Sequence, residues 1–173
     1  MNNVHRRITS RILLGSALVG VVLAQYGCAS YPRNIQEGMT HDEVIARFGP
    51  PSIERPRADG DRLVYATGPL GQYAFGVDID RGGRVEQVEQ VLTLENFARI
   101  QAGTWTEEDV LWNFGPPAEK RRLRDQVTWN YRYRELNVYN SLFTVSFDDA
   151  GLVARTENGP DWMFENGGRN GRH

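Results

Sequence analysis

Few residues in this chain of 173 are of a type and spacing that could do chemistry. Of the three histidines, His5 lies near the start, His173 is the last residue, and His41 falls in what reads as the first turn of a helix. None stands where a general base must, beside a nucleophile or a second titrating group. The single cysteine, Cys28, excludes an intramolecular disulfide and any Cys/His zinc cluster. Two carboxylate pairs, Asp78 with Asp80 and Asp148 with Asp149, have the spacing for acid/base work or calcium. Each falls at a strand end or hairpin turn, where a solvated Asp is the ordinary occupant. There is no phosphate-cradling glycine loop and no nucleophile elbow. This inventory argues against an enzyme, and neither a cofactor nor a metal is expected.

Charge narrows the partners. Residues 1–27 hold Arg6, Arg7 and Arg11 and no acid, which leaves 17 basic against 22 acidic side chains in the remainder. Polyanion binding rests on a basic excess that releases counterions, so no nucleic-acid partner is expected. Against that acidic background, Lys120, Arg121, Arg122 and Arg124 form one local basic run. It reads either as a contact for anionic lipid head groups or as a solvated loop paired with Glu119 and Asp125.

The first residues explain where such a chain would go. Basic residues precede an apolar run from Ile12 to Ala24, too short to span about 30 Å of hydrocarbon but typical of an export leader. Residues 1–27 therefore read as a lipoprotein-type signal peptide. Cys28 follows Gly27 directly, at the one position where a thioether-linked lipid needs a thiol. Cleavage after Gly27-Cys28-Ala29 is the alternative, and it would discard that thiol.

Behind residues 28–34, a short tether, the sequence repeats itself. Ile35-Gln36-Glu37-Gly38-Met39-Thr40 through Val44 to Phe48-Gly49-Pro50-Pro51 recurs from Ile100 to Phe114-Gly115-Pro116-Pro117, and the same offset carries Tyr65 onto Tyr131. Two units follow, 35–92 and 93–158, with a tail over 159–173 expected to be partly disordered. In each unit a capped helix opens the motif: Thr40 with Glu43, and Thr106 with Asp109, have capping-box spacing, and Gly49 and Gly115 sit where a left-handed C-cap belongs. Further helices are expected at Leu94 to Gln101 and, clipped, at Tyr31 to Gln36. Strands follow each Pro pair. Val127, Trp129, Tyr131 and Tyr133 alternate with polar residues, as do Tyr73 to Ile79 and Phe143 to Phe147. Val85, Val88 and Val91, three apart, fit a strand poorly. The alternation leaves Asn130, Arg132 and Arg134 outward, together with Arg62 in the first unit, and this polar sheet face is the expected partner-binding surface.

The string Gly38-Met39-Thr40 to Phe48-Gly49-Pro50-Pro51, the Tyr-bearing strands and the Phe147-Asp148-x-x-Gly151-x-Val153 turn resemble the BamE/SmpA/OmlA family of small outer-membrane lipoproteins. Their use in tandem also resembles β-lactamase inhibitory proteins. The resemblance implies an α+β fold of two tandem repeats, each two short helices packed on a three-stranded antiparallel sheet. It also implies lipidation at Cys28, an outer-membrane location on the periplasmic face, since no Asp follows the Cys, and a scaffold role toward another envelope protein, with the barrel-assembly machinery as one candidate source of that partner. The alternative is a soluble periplasmic inhibitor or ligand-binding module without the lipid.

Overall fold

The computed structural model describes residues 31–165 apart from residue 125; the leader, Cys28 and the tail from 166 onward lie outside the described residues. A 3-10 turn, Pro32–Asn34, leads into α1 (His41–Phe48), β1 (Ile53–Arg57), β2 (Gly60–Ala66), β3 (Ala74–Asp80) and β4 (Val85–Gln90). Then come α2 (Leu94–Phe97), α3 (Glu107–Phe114), β5 (Glu119–Leu123), β6 (Gln126–Glu135), β7 (Tyr139–Phe147), β8 (Val153–Pro160) and α4 (Trp162–Glu165). The strands form two antiparallel meanders, β1-β2-β3-β4 and β5-β6-β7-β8.

This corrects the expected fold class. The chain is mostly β, with four strands per sheet in place of three; one eight-residue helix precedes each sheet, and its companion is only a 3-10 turn in the first unit and the single turn of α2 in the second. The extra strands, β1 and β5, are edge strands whose residues are largely charged and exposed, so they carry no apolar alternation. Pro56 within β1 is tolerated because an edge strand has no neighbour on one side. The expected helix at Leu94 to Gln101 is one turn: Thr93 caps Asn96, but from Arg99 the backbone bonds reach back only three residues. Around Tyr31 to Gln36 only the 3-10 turn forms, and Ile35 is already extended. The three-residue spacing of Val85 and Val88 has a cause in the sheet. Val85 pairs with Ile79 and Gln87 with Asp78, so Glu86 is a bulged extra residue and both valines face the same side.

The two sheets are entered by the same bonds. Thr40 Oγ1 accepts from Glu43 N at 3.2 Å while Glu43 Oε2 accepts from Thr40 N at 2.8 Å; Thr106 and Asp109 do the same at 3.1 and 2.9 Å. Gly49 and Gly115 end the helices at φ 82° and 78°, values that penalise a Cβ. The freed helix-end carbonyls are then used: Tyr65 Oη donates to Gly49 O at 3.0 Å, and Tyr131 Oη to Gly115 O at 3.1 Å.

Packing places these elements in layers. Val44 and Phe48 of α1 bury against Leu63, Tyr65, Phe75, Val77 and Ile79, which line one face of the first sheet. The larger core is built around Phe97 of α2 with Val110 and Phe114 of α3. On one side these meet Trp129, Tyr131, Tyr133, Phe143 and Val145 of the second sheet, and on the other Val64, Ala74 and Val91 from the opposite face of the first. Phe97 stacks on Phe143 with ring centroids 4.0 Å apart. The order is therefore α1, first sheet, α2 and α3, second sheet, and among the described residues no helix layer lies over the far face of the second sheet.

Candidate functional site

Arg62 is not on a surface shared with Arg132 and Arg134. Its face of the first sheet is the one that α3 covers, and its side chain is only 15% exposed. Arg62 Nη1 donates to Asp78 Oδ1 at 2.8 Å and Nη2 to Glu89 Oε1 at 2.7 Å. Burial disfavours its charge, but the bonds to Glu89 and Asp78 outweigh this and raise the guanidinium's pKa above its ordinary value. Gly76, paired with Val64 and Glu89, is what lets the side chain through: a Cβ there would run into Arg62 Nη2.

Beside this pair lies a cleft of about 880 Å³ where the first sheet emerges from under α3. Five arginines line it, Arg55, Arg57, Arg62, Arg81 and Arg99, against three carboxylates, Asp59, Asp78 and Glu89. Arg57 bonds both Asp59 and Asp78, and Arg55 lies over the Trp112 ring at 3.5 Å, joining β1 to α3. Arg81 donates to the Ala58 carbonyl. The cleft can therefore offer a surplus of guanidinium groups to an anion. Sequence reasoning missed it because its arginines come from four separated stretches that only the layered packing brings together.

The outer face of the second sheet carries Thr128, Asn130, Arg132 and Arg134 on β6, across from Ser146, Thr144, Leu142 and Asn140 on β7. Asn130 bridges neighbours, donating to Glu119 Oε2 at 3.3 Å and accepting from Thr144 Oγ1 at 2.9 Å. Arg134 Nη1 donates to Asn140 Oδ1 at 2.7 Å. Arg132 is buried, because the segment after β8 folds over it: its Nη1 pairs with Asp161 Oδ2 at 3.3 Å, and Asp161 is itself buried. Asn130, Arg132 and Arg134 thus share one face, half of which satisfies itself.

The basic run is divided. Lys120 Nζ sits 3.8 Å from the centre of the Trp129 ring, Arg121 Nε bonds Glu119 at 2.7 Å on the outer face, and Arg122 pairs in register with inward-facing Val127. Arg124 stands at the following turn with φ 53°. Of the two Asp pairs, Asp78 is taken by Arg57 and Arg62, while Asp80 and Asp148 serve the backbone: Asp80 Oδ1 accepts from Arg84 N, and Asp148 Oδ1 from Ala150 N and Leu152 N. His41 Nε2 lies 3.1 Å from Glu54 Oε1, in an exposed pair. Among the described residues no three His, Cys, Asp or Glu side chains gather as a metal site would require, and no helix is long and apolar enough to cross a membrane. Comparison with protein-family models, with curated proteins and with solved structures gave no match.

Proposed function

We propose that the chain is a non-enzymatic scaffold, tethered through lipid on Cys28 to the periplasmic face of the outer membrane, that binds another envelope protein through the outer face of its second sheet. The observation that carries this reading is internal to the molecule. The first sheet already receives a capped helix, α3, on its corresponding face, so this sheet geometry accepts a docked element, and among the described residues no helix layer lies over the same face of the second sheet, where Thr128, Leu142 and Thr144 are half-buried beside buried Asn130 and Arg132. The leader, the placement of Cys28 and the resemblance to small outer-membrane lipoproteins support the location, and the resemblance points to the barrel-assembly machinery as the place to look for the partner.

A photo-reactive amino acid at Thr128 or Thr144, in intact envelopes, tests the docking face. One discrete protein adduct from each position is expected, and none from Ala46 on α1. Adducts confined to Arg121 and Arg122, or none, would move the contact elsewhere. Mass spectrometry of the mature N-terminus tests the tether. The arginine-lined cleft favours a second reading, a soluble periplasmic module that takes an anionic ligand. Calorimetric binding of an acidic peptide that is lost in Arg55→Ala with Arg99→Ala would favour it.

A further inference from the structure

The two ends of the strands differ in chemistry. At one end the turns are charged or glycine-rich, Ala58-Asp59 between β1 and β2, Arg81-Gly82-Gly83 between β3 and β4, and Asp148-Asp149-Ala150 between β7 and β8, with a single large exposed aliphatic side chain among the described residues, Leu123 (76%), beside Arg124 where β5 turns into β6. At the other, the β2–β3 loop exposes Leu70 (68%), and the β6–β7 hairpin exposes Leu136 (79%), Val138 and Tyr139. Trp162 and Met163 of α4 are exposed as well.

These groups belong to one surface. Gln72, in the β2–β3 loop, donates from Nε2 to Asn140 Oδ1 at 2.9 Å, which ties that loop to the base of the β6–β7 hairpin. Asp161 N donates to Asn140 O at 2.9 Å, bringing the start of α4 to the same residue. The first described residue, Tyr31, packs its ring edge-on against Phe75 at the start of β3, 5.9 Å between centroids. So the chain enters the fold at this end, three residues after Cys28. Three residues of extended chain reach about 10 Å.

The hairpin tip also holds its apolar group against local preference. Leu136 has φ 49° and Asn137 φ 57°, a turn in which Gly or Asn is the comfortable first residue. A leucine there bears backbone strain while most of its surface stays exposed.

We infer that this end of the molecule is a membrane-contact surface, with Leu70, Leu136, Val138 and Met163 seated among the acyl chains of the bilayer and Tyr139 and Trp162 at head-group level. Tyr and Trp have an apolar body with one polar tip and collect at that depth, while aliphatic side chains of this size partition below it. The charged end then points into the aqueous space, and the open face of the second sheet, which runs between the two ends, stands roughly upright on the membrane. The inference rests on the tethered reading for which surface is presented to the lipid.

The test uses the lipid-anchored chain, whose Cys28 thiol is consumed, with a single new thiol at Val138→Cys, Leu70→Cys or Ala150→Cys carrying an environment-sensitive fluorophore. The protein is reconstituted in vesicles of phosphatidylethanolamine and phosphatidylglycerol with or without brominated acyl chains. Emission at positions 138 and 70 is expected to be blue-shifted and quenched by the bromolipid, with position 150 unaffected and quenched only by aqueous iodide. If all three labels answer to iodide alone while mass spectrometry finds lipid on Cys28, the membrane surface is wrong and the tether stands. Should Cys28 prove unmodified, the tether is wrong, and the same labels in a Cys28→Ser background are read with vesicles added. Quenching at 138 and 70 would then still support the surface, and its absence would overturn it.

Discussion

Tyr65 and Tyr131 do the same work, each donating its hydroxyl to the carbonyl of the glycine that ends the preceding helix. One residue before each, and one after, the sheets diverge. In the first sheet Val64 and Ala66 meet the layer of α2 and α3; in the second the corresponding Asn130 and Arg132 meet Glu119, Thr144 and Asp161. The same backbone has been given an apolar face where α2 and α3 cover it and a hydrogen-bonded polar one where, among the described residues, no helix layer does. A β-face is thus specified by its environment more than by its strand propensity, and here the difference distinguishes an interior joint from a surface.

The comparison yields graded expectations, all measurable by urea unfolding. Phe114→Ala should cost the most, about 3 to 5 kcal/mol, because its ring touches Phe97, Trp105 and Tyr131 in the core between the sheets. Phe48→Ala, whose ring packs against one sheet only, should cost less; equal losses would mean that α3 does not couple the two sheets. Arg62→Met comes next. It leaves Asp78 and Glu89 without their shared cation, for about 3 kcal/mol by analogy with other broken buried pairs, and it should leave cross-linking from Thr144 unchanged, since Arg62 belongs to the joint.

The tyrosine pair sharpens the contrast through pH. Burial, with help from Glu54, pushes the Tyr65 hydroxyl up to about 12, and burial raises Tyr131 well above its ordinary 10. The folded chain therefore holds these protons longer than the unfolded one. Stability is full below pH 10 and falls as pH climbs toward 12, where the unfolded chain ionises first. Tyr131→Phe should remove more of that alkaline loss than Tyr65→Phe, in step with its deeper burial. The smallest effect belongs to the caps. Thr40→Ala and Thr106→Ala should each cost about 1 kcal/mol, and a marked inequality would show that one helix is held by packing rather than by its cap.

What the sequence made legible was local. A Thr three residues before an acid and a Gly before two prolines specify α1 and α3 within ten residues, and the Trp129-Tyr131-Tyr133 alternation marks a half-buried strand. Edge strands were hidden because Glu54-Arg55-Pro56-Arg57 and Lys120-Arg121-Arg122 have no buried face to pattern, although each pairs with the strand that follows it across a short hairpin. Arg62 was misplaced for a different reason. Its position on the polar side of β2 was readable, but the arrival of α3 over that side depends on Phe114, more than fifty residues away. The cleft and the apolar end are assembled from several loops and carry no contiguous signal.

The four outermost strands give the molecule a further property. β1 carries a proline, β5 carries three successive cations, and β4 and β8 end the meanders with Glu86, Glu89, Arg155 and Glu157 among their residues. An unpaired strand of Val and Phe would invite a stray chain to extend the sheet, the first step of cross-β aggregation. Proline withholds a donor and like charges repel an identical incoming strand. The basic stretch of β5 is thereby accounted for without any ligand, as a guard that keeps neighbouring copies from zipping together in a crowded compartment.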